Sequence, residues 1–194
     1  LPICVSETVE ALRQASRDMA TTLNALDAEL TVPAGSGPWP GVVVVHDLRG
    51  PRPEIRDSLA RFATRGFLAI APDLYTRGGA ARCVTRTVWS MLTRKGESVE
   101  DLQAAHALLS ARADCTGQIG IAGFCVGGGF ALVMGTKGFD VSAPFYPTLP
   151  PVYASIAENS CPVVASYGSR DVWNPGNGPR LQRALDRHGV TNDV

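Results

Sequence analysis

The chain has 194 residues, 45% of them hydrophobic and 19% charged, and its 18 basic residues balance its 18 acidic ones. That is enough chain for one well-packed domain of ordinary globular composition. The charge balance gives no footing for a nucleic acid or an anionic membrane surface as partner, and no apolar run reaches transmembrane length.

The start, Leu1-Pro2-Ile3-Cys4, lacks the basic-then-apolar order of a secretory leader. Five cysteines (Cys4, Cys83, Cys115, Cys125 and Cys161) form no Cys-x-x-Cys pair and no zinc-spaced cluster. Cys125 apart, they read as isolated thiols in a reducing cytosol. The expectation is therefore a cytoplasmic protein with no metal and no organic cofactor. Nothing in the sequence sets an oligomeric state.

Residues 7 to 26 carry Val9, Leu12, Met19 and Leu23 roughly on one side. They predict a helical extension, so residues 1–27 are set apart from a single domain over 28–194. Glu29 to Val32 is a strand candidate, and the Gly/Pro-rich stretch 33–40 is a turn region. Gly41-Val-Val-Val-Val-His46 is a β-branched run suited to a central parallel strand covered on both faces. Glu54 to Arg65 has Ile55, Leu59 and Phe62 at helical spacing, with Gly66 as its stop. Phe67 to Ala71 is the next strand. A helix around Val84 to Arg94 follows, and then a helix opened by Ser98 and Asp101 as an approximate capping box. Gln118 to Gly123 is a strand, Val126 to Gly135 a helix, and Val141 to Tyr146 a strand. A Pro-rich loop runs from Pro147 to Pro151, and Pro162 to Tyr167 is a further strand. Gly178 to Arg187 is a helix stopped by His188-Gly189, and Thr191 to Val194 opens another strand.

Strands alternating with helices after residue 41 predict an α/β fold with a mostly parallel sheet and right-handed crossovers. Reactive groups in such sheets sit at the carboxyl ends of strands. Those ends carry His46-Asp47, Pro72-Asp73, Cys125, Tyr146 and Asp171.

The most informative segment is Gly123-Phe124-Cys125-Val126-Gly127. An apolar strand runs into it and an apolar helix-like stretch leaves it, the pattern of a nucleophile elbow with cysteine in place of serine. The glycines are needed because so sharp a turn leaves no room for a Cβ at 123 or 127. The turn presents Cys125 at the amino end of the next helix, whose partial positive charge favours a thiolate. The bland alternative is a buried cysteine beside a glycine-rich packing contact.

Four segments together resemble the dienelactone hydrolase family of the α/β-hydrolase fold. They are Val42-Val-Val-Val-His-Asp-Leu-Arg-Gly50, Gly66-Phe-Leu-Ala-Ile-Ala-Pro-Asp-Leu-Tyr75, Gly120-Ile-Ala-Gly-Phe-Cys-Val-Gly-Gly-Gly129 and Val164-Ala-Ser-Tyr-Gly-Ser-Arg-Asp171. The resemblance covers residues 28 to 194. It implies hydrolysis of small-molecule esters or lactones of the dienelactone type through a thioester on Cys125. It makes Asp171 the acid that orients an imidazole, the alternative being an ordinary loop aspartate. It places an oxyanion hole at the backbone N–H groups of Leu48 and Val126. It gives Asp47 the place of a carboxylate that pairs with the resting nucleophile. The other reading of Asp47 is a cap on the following turn or a contact to Arg49 or Arg52. His46 is expected to bond backbone or shape the pocket floor rather than to catalyse, and His106 to sit at the edge of the core. Arg77, Arg82, Arg86 and Arg94 crowd the region where the family places a substrate-binding arginine, but none aligns. No substrate-binding residue is assigned, and core packing is the expected role of Tyr75 and Trp89.

The family's catalytic histidine follows the acid, in the loop beyond the next strand. Only 23 residues follow Asp171, and the one histidine among them, His188, falls in a helix turn. The sequence is thus expected to stop short of the family's last strand and helix, leaving an open sheet edge. The alternatives to a lactone hydrolase are a general carboxylesterase, or an inactive protein or fragment of the same fold.

Overall fold

The computed structural model describes residues 26–76, 80–148, 153–171 and 175–194. The helix expected over residues 7 to 26 lies outside them, save its last residue. Seven strands form one sheet: β1 (Ala28–Thr31), β2 (Trp39–Val45), β3 (Leu68–Pro72), β4 (Cys115–Phe124), β5 (Val141–Phe145), β6 (Val163–Val164) and β7 (Asn192–Asp193). Their order is β1-β3-β2-β4-β5-β6-β7. β1 runs antiparallel to β3 and the remaining pairs are parallel. The residues expected to open a final strand do pair, as β7 on β6.

Among the described residues six helices connect the strands: α1 (Pro53–Thr64), α2 (Ala80–Thr93), α3 (Glu97–Ser110), α4 (Val126–Met134), α5 (Tyr153–Ala157) and α6 (Asn177–Arg187). The valine run of β2 shows why the sheet is sandwiched. Side chains alternate between faces, so Val43 and Val45 join the larger core with Leu102, Leu109, Ile121 and Phe130. Val42 and Val44 join the other, with Ile55 and Leu59 of α1. Beyond α1 this second face carries an apolar trough of about 470 Å³, lined in part by Phe62, Phe67, Val141 and Ala143.

Two helix stops follow the sequence. After α1, Gly66 takes φ +83°, and the N–H of Phe67 reaches the carbonyl of Phe62 at 3.1 Å. After α6, Gly189 takes φ +67°, and the N–H of Val190 reaches Leu185 at 3.0 Å. Both close orphan carbonyls with a left-handed residue. One start differs. α3 begins at Glu97 behind Gly96 (φ +98°), whose carbonyl accepts the N–H groups of Val99 and Glu100. The Ser98 hydroxyl is turned inward, 3.4 Å from Thr87 Oγ1. The expected capping box is therefore absent, because the chain needs a positive φ at 96 that only glycine supplies cheaply. β6 is shorter than the stretch 162–167 expected for it, and pairing continues only as a bridge between Phe145 and Ser166.

Candidate active site

β4 ends at Phe124 and α4 starts at Val126, so Cys125 alone makes the turn. It does so at φ +57°, ψ −115°, a conformation that costs a non-glycine residue about 1–3 kcal/mol. The surrounding backbone enforces it. The Cys125 N–H donates to the Phe145 carbonyl at 3.0 Å, and the Cys125 carbonyl accepts from Gly129 and Thr148 N–H at 3.1 and 3.0 Å. A Cβ at position 123 would overlap the Gly127 carbonyl, and one at 127 would lie 2.5 Å from the His46 carbonyl oxygen. The glycine requirement read from the pentapeptide is thus a steric fact of the fold. The half-exposed Cys125 sulfur lies 3.5 Å from Thr148 Oγ1. Val126 opens α4, and first-turn N–H groups have no intrahelical acceptor.

The loop after β2 packs against this turn. His46 is buried, 3% exposed. Its Nε2 accepts the Leu74 N–H at 3.2 Å, so the proton sits on Nδ1, which donates to the Asp47 carbonyl at 2.7 Å. Burial holds its pKa below the usual imidazole value, against the opposing pull of that carbonyl and of Asp73 and Asp47. His46 thus bonds backbone, as expected. Because carbonyl and N–H of a trans peptide point opposite ways, the bond to Asp47 also fixes the direction of the Leu48 N–H. Tyr75 holds the next peptide: its hydroxyl donates to the Leu48 carbonyl at 2.9 Å, and its ring meets His46 edge-on at 4.8 Å.

Asp47 Oδ1 accepts the Arg49 N–H at 2.8 Å and Oδ2 lies 3.9 Å from Arg49 Nε. This is the turn-capping alternative given above for that residue. Asp47, Arg49, Arg52, Ile55, Phe124 and Tyr146 line a cleft of about 230 Å³. Tyr146 stands out beyond its mere position at a strand end. It adopts φ +38°, and its N–H reaches the Ser166 carbonyl at 2.6 Å. Its phenol pKa is raised, by burial first and then by the carboxylate of Asp47, with which it lines the cleft. The sequence signal for it was the strand end; the backbone strain could not be read there.

Asp171 lies half-buried in the loop after β6, its N–H donating to Gly168 at 3.0 Å. It lines a different cavity, of about 570 Å³, with Tyr167, Arg170 and Pro179. Cys125 follows β4 and Asp171 follows β6, so both lie at the same end of the sheet with β5 between their strands. His106 packs edge-on against Phe139 at 4.7 Å, and His188 caps the end of α6. Arg86 pairs with Glu97 at 3.0 Å, and Arg94 reaches the Ser155 carbonyl at 3.4 Å. Arg77 and the side chain of Arg82 lie outside the described residues. Trp89 is 67% exposed and not in the core, because α2 turns that face to solvent. Burial pushes the Cys161 thiol up to about 11. Among the described residues no group of three or more His, Cys, Asp or Glu side chains could hold a metal ion, and no helix is long and apolar enough to cross a membrane.

Comparisons with known proteins agree with this architecture. A carboxymethylenebutenolidase of Pseudomonas sp. (strain P51) is 31% identical over 121 residues, 58% of this chain and 50% of that protein. The Pseudomonas putida carboxymethylenebutenolidase is 23% identical over 156 residues, 74% of this chain and 66% of that one. The crystal structure of a dienelactone hydrolase-like promiscuous phosphotriesterase from metagenomic libraries superposes with a TM-score of 0.73 at 25% identity, over 86% of this chain and 73% of that one. The chain spans 38% to 58% of the length of three curated relatives it matches strongly. The dienelactone hydrolase family profile matches residues 26–194, and the chain belongs to that family.

Proposed function

We propose that this chain carries the nucleophile and acid of an ester or lactone hydrolase that works through a thioester on Cys125. The observation that carries the reading is Cys125 itself, held at φ +57° between β4 and α4 by neighbours that admit only glycine at 123 and 127. Backbone strain stored at one exposed-facing cysteine is what a nucleophile elbow requires. The thiolate attacks the acyl carbon, and the negative oxygen forms against the Val126 and Leu48 N–H groups. Collapse breaks the acyl carbon–oxygen bond and releases the alkoxide, which takes a proton from water. Water then attacks the thioester and loses a proton to the hydroxide left by the first step, giving the carboxylic acid and regenerating the thiolate. Asp171 is the acid that orients the base of the second step. The names of the carboxymethylenebutenolidase relatives support an unsaturated lactone as substrate.

A second reading is favoured by one observation. Both ring nitrogens of His46 are engaged by backbone, His106 packs on Phe139, and His188 ends α6, so no histidine of this chain is placed as the base. On that reading the chain acylates and deacylates slowly. The test is intact mass after brief exposure to p-nitrophenyl acetate, with peptide mapping. A transient adduct on Cys125 supports turnover, and a persistent one supports acylation alone. No adduct on Cys125 overturns both.

A further inference from the structure

We propose that Thr148 is the resting partner of the Cys125 sulfur, its hydroxyl donating to the thiolate and holding it ready to attack. The inference rests on the reading of Cys125 as nucleophile. The contact is direct, 3.5 Å between Sγ and Oγ1. It is also built rather than incidental. The Thr148 N–H donates to the Cys125 carbonyl at 3.0 Å, and the Cys125 N–H donates back to Phe145 at 3.0 Å, so two backbone bonds lash the segment after β5 to the elbow. Tyr146, at φ +38°, bends the chain over it. A Cβ on Gly128 would lie 3.0 Å from Pro147 Cα, so the glycine lets this segment approach.

The chemistry follows from which group can donate. An ionised carboxylate only accepts, and Asp47 is already engaged by the Arg49 N–H at 2.8 Å. A threonine hydroxyl donates to a thiolate without repelling it. Hydrogen bonds to a charged acceptor favour the charged form, and the thiolate is the reactive one. Thr148 therefore acts as a positioning residue that keeps the sulfur reactive.

The test is the iodoacetamide labelling rate of each mapped cysteine at neutral pH, in the parent chain and in Thr148→Val, Thr148→Ala and Thr148→Ser. Removing the hydroxyl slows labelling of Cys125 about fivefold, the effect of one hydrogen bond, and leaves Cys115 and Cys161 unchanged. Thr148→Ser labels Cys125 at close to the parent rate. A Thr148→Val or Thr148→Ala chain, folded by circular dichroism, that labels Cys125 as fast as the parent overturns the assignment. So does a Thr148→Ser chain as slow as Thr148→Val, which would mean packing rather than the hydroxyl. If Cys125 of the parent labels no faster than half-buried Cys161, the nucleophile reading fails and the Thr148 assignment falls with it.

Discussion

His46 Nδ1 donates to the carbonyl oxygen of Asp47 at 2.7 Å, and that one bond sets the orientation of the peptide whose N–H belongs to Leu48. It is made by a buried, neutral imidazole whose other nitrogen accepts from Leu74. The site therefore depends on a group that protonation would disrupt.

Stability consequently depends on pH through His46. Its folded pKa lies below the unfolded value of 6.5, chiefly through burial. As pH falls, the unfolded chain takes up this proton first, so the His46 contribution is complete above about pH 6.5 and is lost below it, down to the lowered folded pKa. Urea unfolding from about pH 8 to about pH 5 should show stability falling toward acid. The non-titrating His46→Asn variant, less stable at the upper end, should fall more shallowly; an equal slope would place the effect elsewhere.

Gly123→Ala should cost about 3 kcal/mol or more, because its Cβ would overlap the Gly127 carbonyl, a backbone atom with nowhere to go. Gly66→Ala is the contrasting control. Gly66 sits at positive φ, +83°, as Gly123 does not, but nothing lies within 4 Å of its Cβ position, so only about 1 kcal/mol of conformational strain is expected. Denaturant midpoints measure both, and equal costs would contradict the crowding at the elbow.

Cys125→Gly should be more stable than Cys125→Ala by about 1 kcal/mol, since only the former relieves a Cβ held at φ +57°. Neither should form an acyl adduct. Cys125→Ser should fold but turn over slowly, because a hydroxyl needs a stronger base than a thiol does. Thermal unfolding and ester turnover separate these outcomes.

Tyr75→Phe removes the hydroxyl bound to the Leu48 carbonyl at 2.9 Å while keeping the ring against His46. Turnover of a simple ester should drop about three- to tenfold in kcat with KM little changed, as expected when an oxyanion donor is loosened and not removed. A change confined to KM would instead make Tyr75 a substrate contact.

Local sequence determined the elements and the elbow. The valines at 42–45 alternate between two cores, Gly66 and Gly189 end their helices, and glycines 123 and 127 mark the turn that pushes out Cys125. These are short-range steric and periodic effects, carried by the residues that show them. Tertiary structure decided what surrounds the sulfur. The carboxylate of Asp47 turned to Arg49, the hydroxyl of Thr148 came to Cys125 from the end of β5, and Tyr75 reached back to Leu48 from beyond β3. Each of the last two contacts joins residues 23 or 27 positions apart through strand order and loop path. No local pattern encodes such a meeting, because it depends on which strands the sheet sets side by side.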